Sequence, residues 1–105
     1  MFGSPALLTN LADHAARSGE ATPSLERIVA GGAEVPGPLF AKVKAMLGPG
    51  GEMYSDYGAT EALPVSEIAG DTVLEQTWPL TECGAGVCVG SPLRGVEVRV
   101  VALHE

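Results

Sequence analysis

Residues 24–47, SLERIVAGGAEVPGPLFAKVKAML, carry the pattern that decides the fold of this chain. Residues 24–30 form a short, partly β-branched run, which is typical of a strand, and Gly31-Gly32 ends it in a tight turn. Five apolar residues then recur at helical spacing while two lysines face away from them, which predicts a helix over residues 38–47. The apolar residues are Leu39, Phe40, Val43, Met46 and Leu47, and the lysines are Lys42 and Lys44.

Another helix is predicted upstream of this unit, in the stretch ALLTNLADHAAR. Ser4 is suited to cap its amino end, Pro5 fits the first turn, and Gly19 is expected to stop it. One side of the helix is apolar, which indicates the face that packs on a sheet. That predicted face consists of Leu7, Leu8, Leu11 and Ala15.

Residues 48–103 contain shorter and less regular patterns. The Gly-Pro-Gly-Gly run at residues 48–51 terminates the helix, and residues 52–57 are predicted to form a strand. Residues 62–94 are rich in Gly, Pro and Thr and are interpreted as a loop with one short strand near residues 72–77. Val96, Val98 and Val100 alternate with other residues, which predicts a last strand over residues 95–103.

Alternating strands and helices indicate the α/β class, with a partial, mostly parallel sheet built from βαβ units. Crossovers in such units are right-handed in nearly all proteins, so two crossovers moving the same way place both helices on one face of the sheet. Parallel sheets are normally covered on both faces, and no predicted helix is left for the second face. We therefore predict that the chain is a segment of a larger α/β domain, or that an oligomer covers the bare face.

The composition argues against several classes of partner. The chain has 105 residues and a net charge of −7, and its 6 basic residues form no patch. Nucleic-acid binding depends on clustered Lys and Arg, so we expect no nucleic-acid partner. The amino terminus has no basic n-region and only a short apolar stretch, so we predict no signal peptide, no membrane span and a cytoplasmic location.

Several conspicuous side chains receive a structural interpretation. Cys83 and Cys88 have a C-x4-C spacing with no second cysteine pair, so they are interpreted as reduced thiols rather than zinc ligands. His14 and His104 are interpreted as surface residues because neither has an evident partner. Trp78, beside Pro79, is interpreted as an anchor for a loop or a partner.

Two predicted strand ends carry residues suited to ligand binding. In VAGGAEVPG, residues 29–37, the glycine pair allows close backbone approach to a flat or anionic ligand, and a helix begins just after it. In YGATEA, Tyr57 offers a ring for stacking, Thr60 a hydroxyl for a phosphate oxygen, and Glu61 a hard oxygen ligand for Mg²⁺. Ligands of doubly wound sheets bind beyond the carboxyl ends of the strands, so both loops are expected to line one crevice.

Each loop also has a purely structural explanation. Gly31-Gly32 match neither the dinucleotide fingerprint nor the nucleotide P-loop, so they could form an ordinary strand-to-helix turn. Tyr57 could belong to the core, with Thr60-Glu61 capping a helix. Residue types alone leave both explanations open.

The pair SLERIVAGGAEVP and MYSDYGATEA, separated by one amphipathic helix, resembles the adenylate-forming superfamily of acyl-CoA synthetases, luciferases and nonribosomal peptide adenylation domains. Y-G-x-T-E is among the most specific signatures of that family, and the resemblance covers nearly the whole chain. YGATEALPVS and CGAGVCVGSPLRGVEVRVV look most like the olefin-biosynthesis branch of β-lactone synthetases and fatty-acid CoA ligases. The resemblance assigns residues 1–94 to the AMP-binding N-terminal domain and residues 95–105 to the start of the following β-strand region.

The resemblance implies a nucleotide site formed by both loops. Tyr57 would stack on adenine, Thr60 would bond the α-phosphate and Glu61 would help to hold Mg²⁺, so Thr60 and Glu61 are the implied catalytic residues. Ser55 stands where many relatives have Asn or Asp that reaches the adenine amino group. The other implied nucleotide-binding positions are Gly31, Gly32, Ala33, Glu34, Asp56, Gly58 and Ala59, of which Gly32, Ala33 and Glu34 would act through main-chain atoms. Gly31, Ala59 and Leu63 would border the acyl chain.

The implied reaction belongs to a ligase that uses ATP and Mg²⁺ to convert a fatty or β-hydroxy acyl carboxylate to acyl-AMP. Closure to a β-lactone or transfer to coenzyme A would follow. The lysine-ending phosphate loop, the T-G-D ribose motif and the C-terminal domain with its lysine do not occur in this sequence, so we expect the isolated chain to be inactive and to self-associate. The alternative is a noncatalytic α/β module that binds a protein partner, or its own copy, through an exposed sheet face.

Overall fold

The computed structural model describes residues 1–104, in which strands and helices alternate along the first half of the chain. The strands are β1 (Phe2–Gly3), β2 (Arg27–Ala30), β3 (Glu52–Ala59), β4 (Ala62–Ala69) and β5 (Ser91–Pro92). The helices are α1 (Pro5–Ser18), α2 (Gly37–Met46), α3 (Gly70–Thr72) and α4 (Trp78–Glu82), with a π-helical turn at Val73–Thr77 between the last two. We call residues 70–82 the helical segment.

The five strands form one mixed sheet in the order β1-β2-β3-β4-β5. β1, β2 and β3 pair in parallel, with Val29 opposite Tyr54, and α1 and α2 make the crossovers between them. β4 and β5 add antiparallel pairs, with Asp56 of β3 opposite Glu67 of β4. The predicted α/β class and βαβ units are therefore confirmed, while the second half of the sheet is antiparallel.

The local signals around α1 act as the sequence predicts. The Ser4 side chain accepts a hydrogen bond of 3.3 Å from the Leu7 amide, and Gly19 ends the helix with a φ of 71°. Leu8, Ala12 and Ala15 are buried, which is the spacing of one helical face. The placement of Leu7 on that face was wrong, because Leu7 lies a third of a turn away from Leu8 and is 51% exposed.

One apolar core lies between the sheet and the two long helices. α1 contacts α2, and both bury their apolar faces against the same side of β2 and β3. The predicted buried face of α2 is confirmed, and its lysines are exposed. The largest fully buried side chains are Leu8, Ile28, Phe40, Val43 and Met53.

The opposite face of the sheet has no helix on it among residues 1–104. Side chains alternate across a strand, so the register places Phe2, Val29, Tyr54 and Ala69 in one row on that side. Phe2 is exposed and the other three are half-buried, with the Arg27 guanidinium 5.6 Å from the ring centre of Tyr54. We call this row the open sheet face; it matches the prediction that both long helices share one side.

Predictions for the last part of the chain were wrong in three places. Residues 62–69 form β4 rather than a loop, and Pro64 is tolerated because the pairing register shifts between Tyr57 and Ala59, so its missing donor falls in an irregular part of the ladder. The predicted strand at residues 72–77 is helical, because packing of Val73 and Trp78 on the core outweighs the β-branched composition.

The predicted strand at residues 95–103 is also absent from the structure. Val98 and Val100 are exposed, and no strand within residues 1–104 lies beside them to complete a ladder. Alternation marks a surface that can pair, but a strand forms only where a partner supplies hydrogen bonds.

Candidate functional site

A cavity of about 390 Å³ lies where β2 and β3 end and the helical segment crosses. One wall is the turn that follows β2, and a second is the last half of β3. The helical segment and the extended residues near Val89 complete the enclosure. The lining residues are Gly32, Ala33, Glu34, Val35, Phe40, Ser55, Asp56, Tyr57, Gly58, Leu63, Ile68, Val73, Thr77, Trp78, Thr81, Val87, Cys88 and Val89.

The turn after β2 is held in place by its glycines. Gly31 is buried, its amide donates to the Gly3 carbonyl at 3.3 Å, and a Cβ there would lie 3.2 Å from Phe2 Cζ. Gly32 has a φ of 88°, a left-handed conformation that side chains other than glycine rarely adopt. These constraints leave Gly32, Ala33 and Glu34 exposed at the cavity, and Gly31 behind it.

The end of β3 presents the second group of predicted residues. Tyr57 is 54% exposed and lines the cavity together with Ser55, Asp56 and Gly58. A Cβ at Gly58 would lie 2.6 Å from the Ala62 carbonyl oxygen, so glycine allows β3 and β4 to approach here. The exposure of Tyr57 excludes the explanation that its ring belongs to the core.

Thr60, Glu61 and Ala59 lie outside the cavity lining. Thr60 and Glu61 form the turn of the β3–β4 hairpin and are exposed, so they do not cap a helix. β3 ends at Ala59, one residue beyond Gly58, so the turn lies past the end of the cavity wall. The structure thus brings together the predicted base-binding residues and leaves the predicted phosphate and metal residues on an open turn nearby in the chain.

The cavity is acidic and has no cationic side chain. Glu34 and Asp56 are its charged residues, and the lining contains neither Lys nor Arg. Asp56 Oδ1 is out of contact with solvent and without a hydrogen-bond partner, and this burial raises the pKa of the Asp56 carboxyl above its ordinary value of 3.8. Such a cavity favours a neutral, flat group over a phosphate.

A magnesium ion would find one candidate ligand on the hairpin turn. Mg²⁺ is usually bound by one or two carboxylates together with substrate phosphates, and the exposed Glu61 carboxylate fits that role. Within residues 1–104 no three His, Cys, Asp or Glu side chains cluster to form a site of their own. The described residues therefore fit an ion carried by phosphate better than an ion bound by protein alone.

Sequence reasoning missed the helical wall of the cavity. Val73, Thr77, Trp78 and Thr81 all line the cavity, and three of them recur every four residues. That recurrence was a usable helical signal, but residues 72–77 were predicted as a short strand within a loop rich in Gly, Pro and Thr. Cys88 also lines the cavity, and both it and Cys83 are free, exposed thiols.

The fold and cavity define an α/β segment with a ligand site at adjacent strand ends, and comparisons with known proteins give its family. The model of the AMP-binding enzyme family matches residues 1–105. The chain therefore belongs to the AMP-binding enzyme family, and the resemblance to adenylate-forming proteins is confirmed.

Two curated relatives are olefin beta-lactone synthetases. The protein from Xanthomonas campestris pv. campestris is 42% identical over 105 residues, and that from Stenotrophomonas maltophilia is 41% identical. Both alignments cover 100% of this chain and 18% of the relative, so the chain spans about a fifth of the length of these proteins.

A solved structure with the same fold is the crystal structure of VinN. It superposes with a TM-score of 0.68 at 25% sequence identity, over 90% of this chain and 22% of VinN. The fold described here thus corresponds to part of a larger α/β protein. Across residues 1–104, every helix is too short or too polar to cross a bilayer.

Proposed function

We propose that this segment forms the adenine-binding part of an ATP-dependent ligase that activates an acyl carboxylate as its adenylate. The observation that carries the proposal is the shared cavity of the Gly32–Glu34 turn and Tyr57, two features that lie more than twenty residues apart in sequence. Main-chain groups of the turn can bond the edge of a base, while the half-exposed Tyr57 ring offers a stacking surface. The confirmed family supports adenine as the base.

The phosphates would leave the cavity toward the hairpin turn. Thr60 can donate its hydroxyl to an α-phosphate oxygen, and Glu61 can hold one coordination position of Mg²⁺. A bound Mg²⁺ supplies charge neutralisation for the phosphate oxygens. The acidic cavity itself repels phosphate, which favours this orientation over the reverse one.

The proposed chemistry consists of two displacements. A carboxylate oxygen attacks the α-phosphorus of ATP, the bond from that phosphorus to the bridging oxygen breaks, and pyrophosphate leaves. In a β-hydroxy acid, the hydroxyl oxygen then attacks the acyl carbonyl, loses its proton to solvent and expels AMP, which closes a β-lactone. With coenzyme A as acceptor, the thiolate attacks the same carbonyl, the acyl–oxygen bond to AMP breaks, and a thioester and AMP result. The two olefin beta-lactone synthetases among the relatives favour lactone closure.

Pyrophosphate release tests this proposal, measured on the protein encoded by the full reading frame around this segment, with β-hydroxy and simple fatty acids as substrates. We expect Glu61→Gln to raise the Mg²⁺ concentration needed for half-maximal rate, while Glu82→Gln, at an exposed site outside the cavity, leaves it unchanged. Equal Mg²⁺ dependence in the two variants would remove Glu61 from the metal site. Product analysis then separates lactone from thioester.

A noncatalytic binding module is the second candidate, and the open sheet face favours it. An apolar row uncovered by helices is a surface on which a partner can pack. Stop codons directly flanking this segment in its gene would support the module, whereas flanking sequence with the lysine-ending phosphate loop and the T-G-D motif would support the ligase.

A further inference from the structure

Trp78 is the bulkiest of the cavity residues that the proposed function leaves without a role. It is the only tryptophan of the chain, it is half-buried, and it lines the same cavity as Tyr57 and the Gly32–Glu34 turn. The sequence suggested only an anchor. Its place in the fold shows a more specific arrangement.

The indole is fixed by its contact with α2. A Cβ on Gly37, the first residue of α2, would lie 2.6 Å from Trp78 Cδ1, so the ring rests directly on the glycine backbone. Trp78 also packs against the apolar core. A ring supported in this way loses little further conformational entropy when a ligand contacts it.

The π-helical turn sets which side chains reach the cavity. The Trp78 amide donates to the Val73 carbonyl, an i to i+5 bond that adds one residue to the helical turn. Val73 and Trp78 are therefore in line on the helix surface, and both line the cavity. Single π-helical turns occur frequently at functional sites, which agrees with a ligand-binding role for this wall.

We propose that Trp78 is a base-binding residue, which holds the purine of the nucleotide against the helical wall of the cavity. This inference rests on the proposed function and extends the site to a segment that the sequence resemblance does not assign. The cavity combines the rings of Tyr57 and Trp78, main-chain polar groups and no cation, which suits a neutral planar base. Its volume of about 390 Å³ is at the small end of ligand pockets, as expected if the phosphates lie outside.

Adenosine is the probe of choice because it carries the base without the phosphates. The isotopically labelled chain is titrated with millimolar adenosine and, separately, with octanoate, while the Trp78 indole N–H and the Gly32 and Ala33 amides are followed by NMR. We expect adenosine to shift all three signals along one binding curve and to quench the fluorescence of the single tryptophan. Octanoate should leave the indole signal in place.

Substitutions at Trp78 give a second readout of the same contact. Because base stacking on an aromatic ring is substantial, Trp78→Ala should weaken adenosine binding at least about fivefold, and Trp78→Phe should weaken it less. Core methyl signals of Leu8 and Val43 report whether each variant is folded. Gly37→Ala should also weaken binding by displacing the indole, whereas Gly86→Ala, where a Cβ meets open space, should not.

Three results would overturn the inference, and they differ in what they leave standing. If adenosine shifts Gly32 and Ala33 but neither moves the indole nor responds to Trp78→Ala, Trp78 has no base-binding role and the proposed nucleotide site remains. If octanoate rather than adenosine moves the indole, the helical wall belongs to an acyl site. If no signal moves with adenosine, both the inference and the adenine site in this chain are wrong.

Discussion

Trp78 rests on Gly37 with no room for a side chain between them, since a Cβ at Gly37 would lie 2.6 Å from the indole Cδ1. This contact joins the helical segment to α2, the helix that follows the proposed base-binding turn. It therefore links two walls of the cavity that are separated by about forty residues of sequence.

The first prediction concerns the stability of this contact. Gly37→Ala should lower the free energy of unfolding by about 1–3 kcal/mol, because overpacking a filled site costs more than alanine gains in helix propensity at the first helical position. Urea denaturation measures the change. Gly86→Ala is the matched control and should be near neutral. Equal stability of the two variants would show that the indole moves without cost.

A second prediction follows from the partly buried Asp56 carboxyl. Its pKa is raised by burial, so the folded state binds the proton more tightly than the unfolded state does. The contribution of Asp56 to the free energy of unfolding should therefore increase as the pH falls from neutral through the raised pKa toward 3.8. Asp56→Asn should remove that contribution and stabilise the protein at neutral pH, because it buries no charge.

Urea denaturation of the Asp56→Asn variant at neutral pH and near pH 3.8 tests this sign. Glu26→Gln, an exposed charge removal, should keep the pH dependence of the unmodified chain. A loss of stability in Asp56→Asn at neutral pH would contradict the prediction. It would mean that the ionised Asp56 carboxylate makes a stabilising interaction in the folded protein that the uncharged Asn amide cannot make.

A third prediction concerns the ion pair between Lys44 of α2 and Asp71 of the helical segment. The Lys44 ammonium lowers the pKa of Asp71, and Asp71 raises that of Lys44, in each case chiefly through their hydrogen bond. The pair therefore stabilises the fold above the ordinary Asp pKa of 3.8 and below the ordinary Lys pKa of 10.5. Its contribution is lost as pH falls through the lowered Asp71 pKa or rises through the raised Lys44 pKa.

Asp71→Asn should speed amide hydrogen exchange in residues 70–82 at neutral pH, with only a small change in global stability because both partners are exposed. Asp13→Asn breaks the comparable pair with Lys42, 2.9 Å away, which joins α1 to α2 instead. Exchange that rises equally in the helical segment of both variants would argue against a local role for the Lys44–Asp71 pair.

A fourth prediction concerns the open sheet face. The isolated chain should self-associate in a concentration-dependent manner, because the apolar row has no cover within residues 1–104. Phe2→Glu, at a side chain that is 60% exposed on this face, should shift the equilibrium toward monomer. Val100→Glu adds the same charge at a residue that is 99% exposed outside the sheet and should not. Sedimentation of a monodisperse monomer at all concentrations would contradict the prediction.

The fifth prediction is that the isolated chain binds ATP weakly and hydrolyses none. The net charge is −7, and no cationic side chain lines the cavity, so little offsets the charge of a triphosphate. Calorimetric titration should show ATP binding no tighter than adenosine. Micromolar affinity for ATP would reveal a phosphate site that the described residues do not explain.

The sequence by itself determined α1, β2 and α2 in the first half of this protein, whereas β1 forms only by pairing with β2. The ends of α1 are set by Ser4 and Pro5 at its amino end and by Gly19 at its carboxyl end. The run from Arg27 through the glycine pair into α2 forms the predicted βα unit. These elements are specified by neighbouring residues, through capping, left-handed glycine geometry and a 3.6-residue apolar period. The family signature at residues 57–61 is likewise recognisable from consecutive residues alone.

Tertiary structure alone decided the second half and the form of the site. Pairing with β3 makes residues 62–69 a strand despite Pro64, and packing against α2 makes residues 72–77 helical despite their β-branched composition. The reverse holds for Val96, Val98 and Val100: their alternating pattern predicts a strand, but none forms because no partner strand lies beside them within the described chain. Trp78 reaches the cavity only because Gly37, far away in sequence, leaves space for its ring. Such placements depend on contacts between distant residues, which a local pattern does not encode.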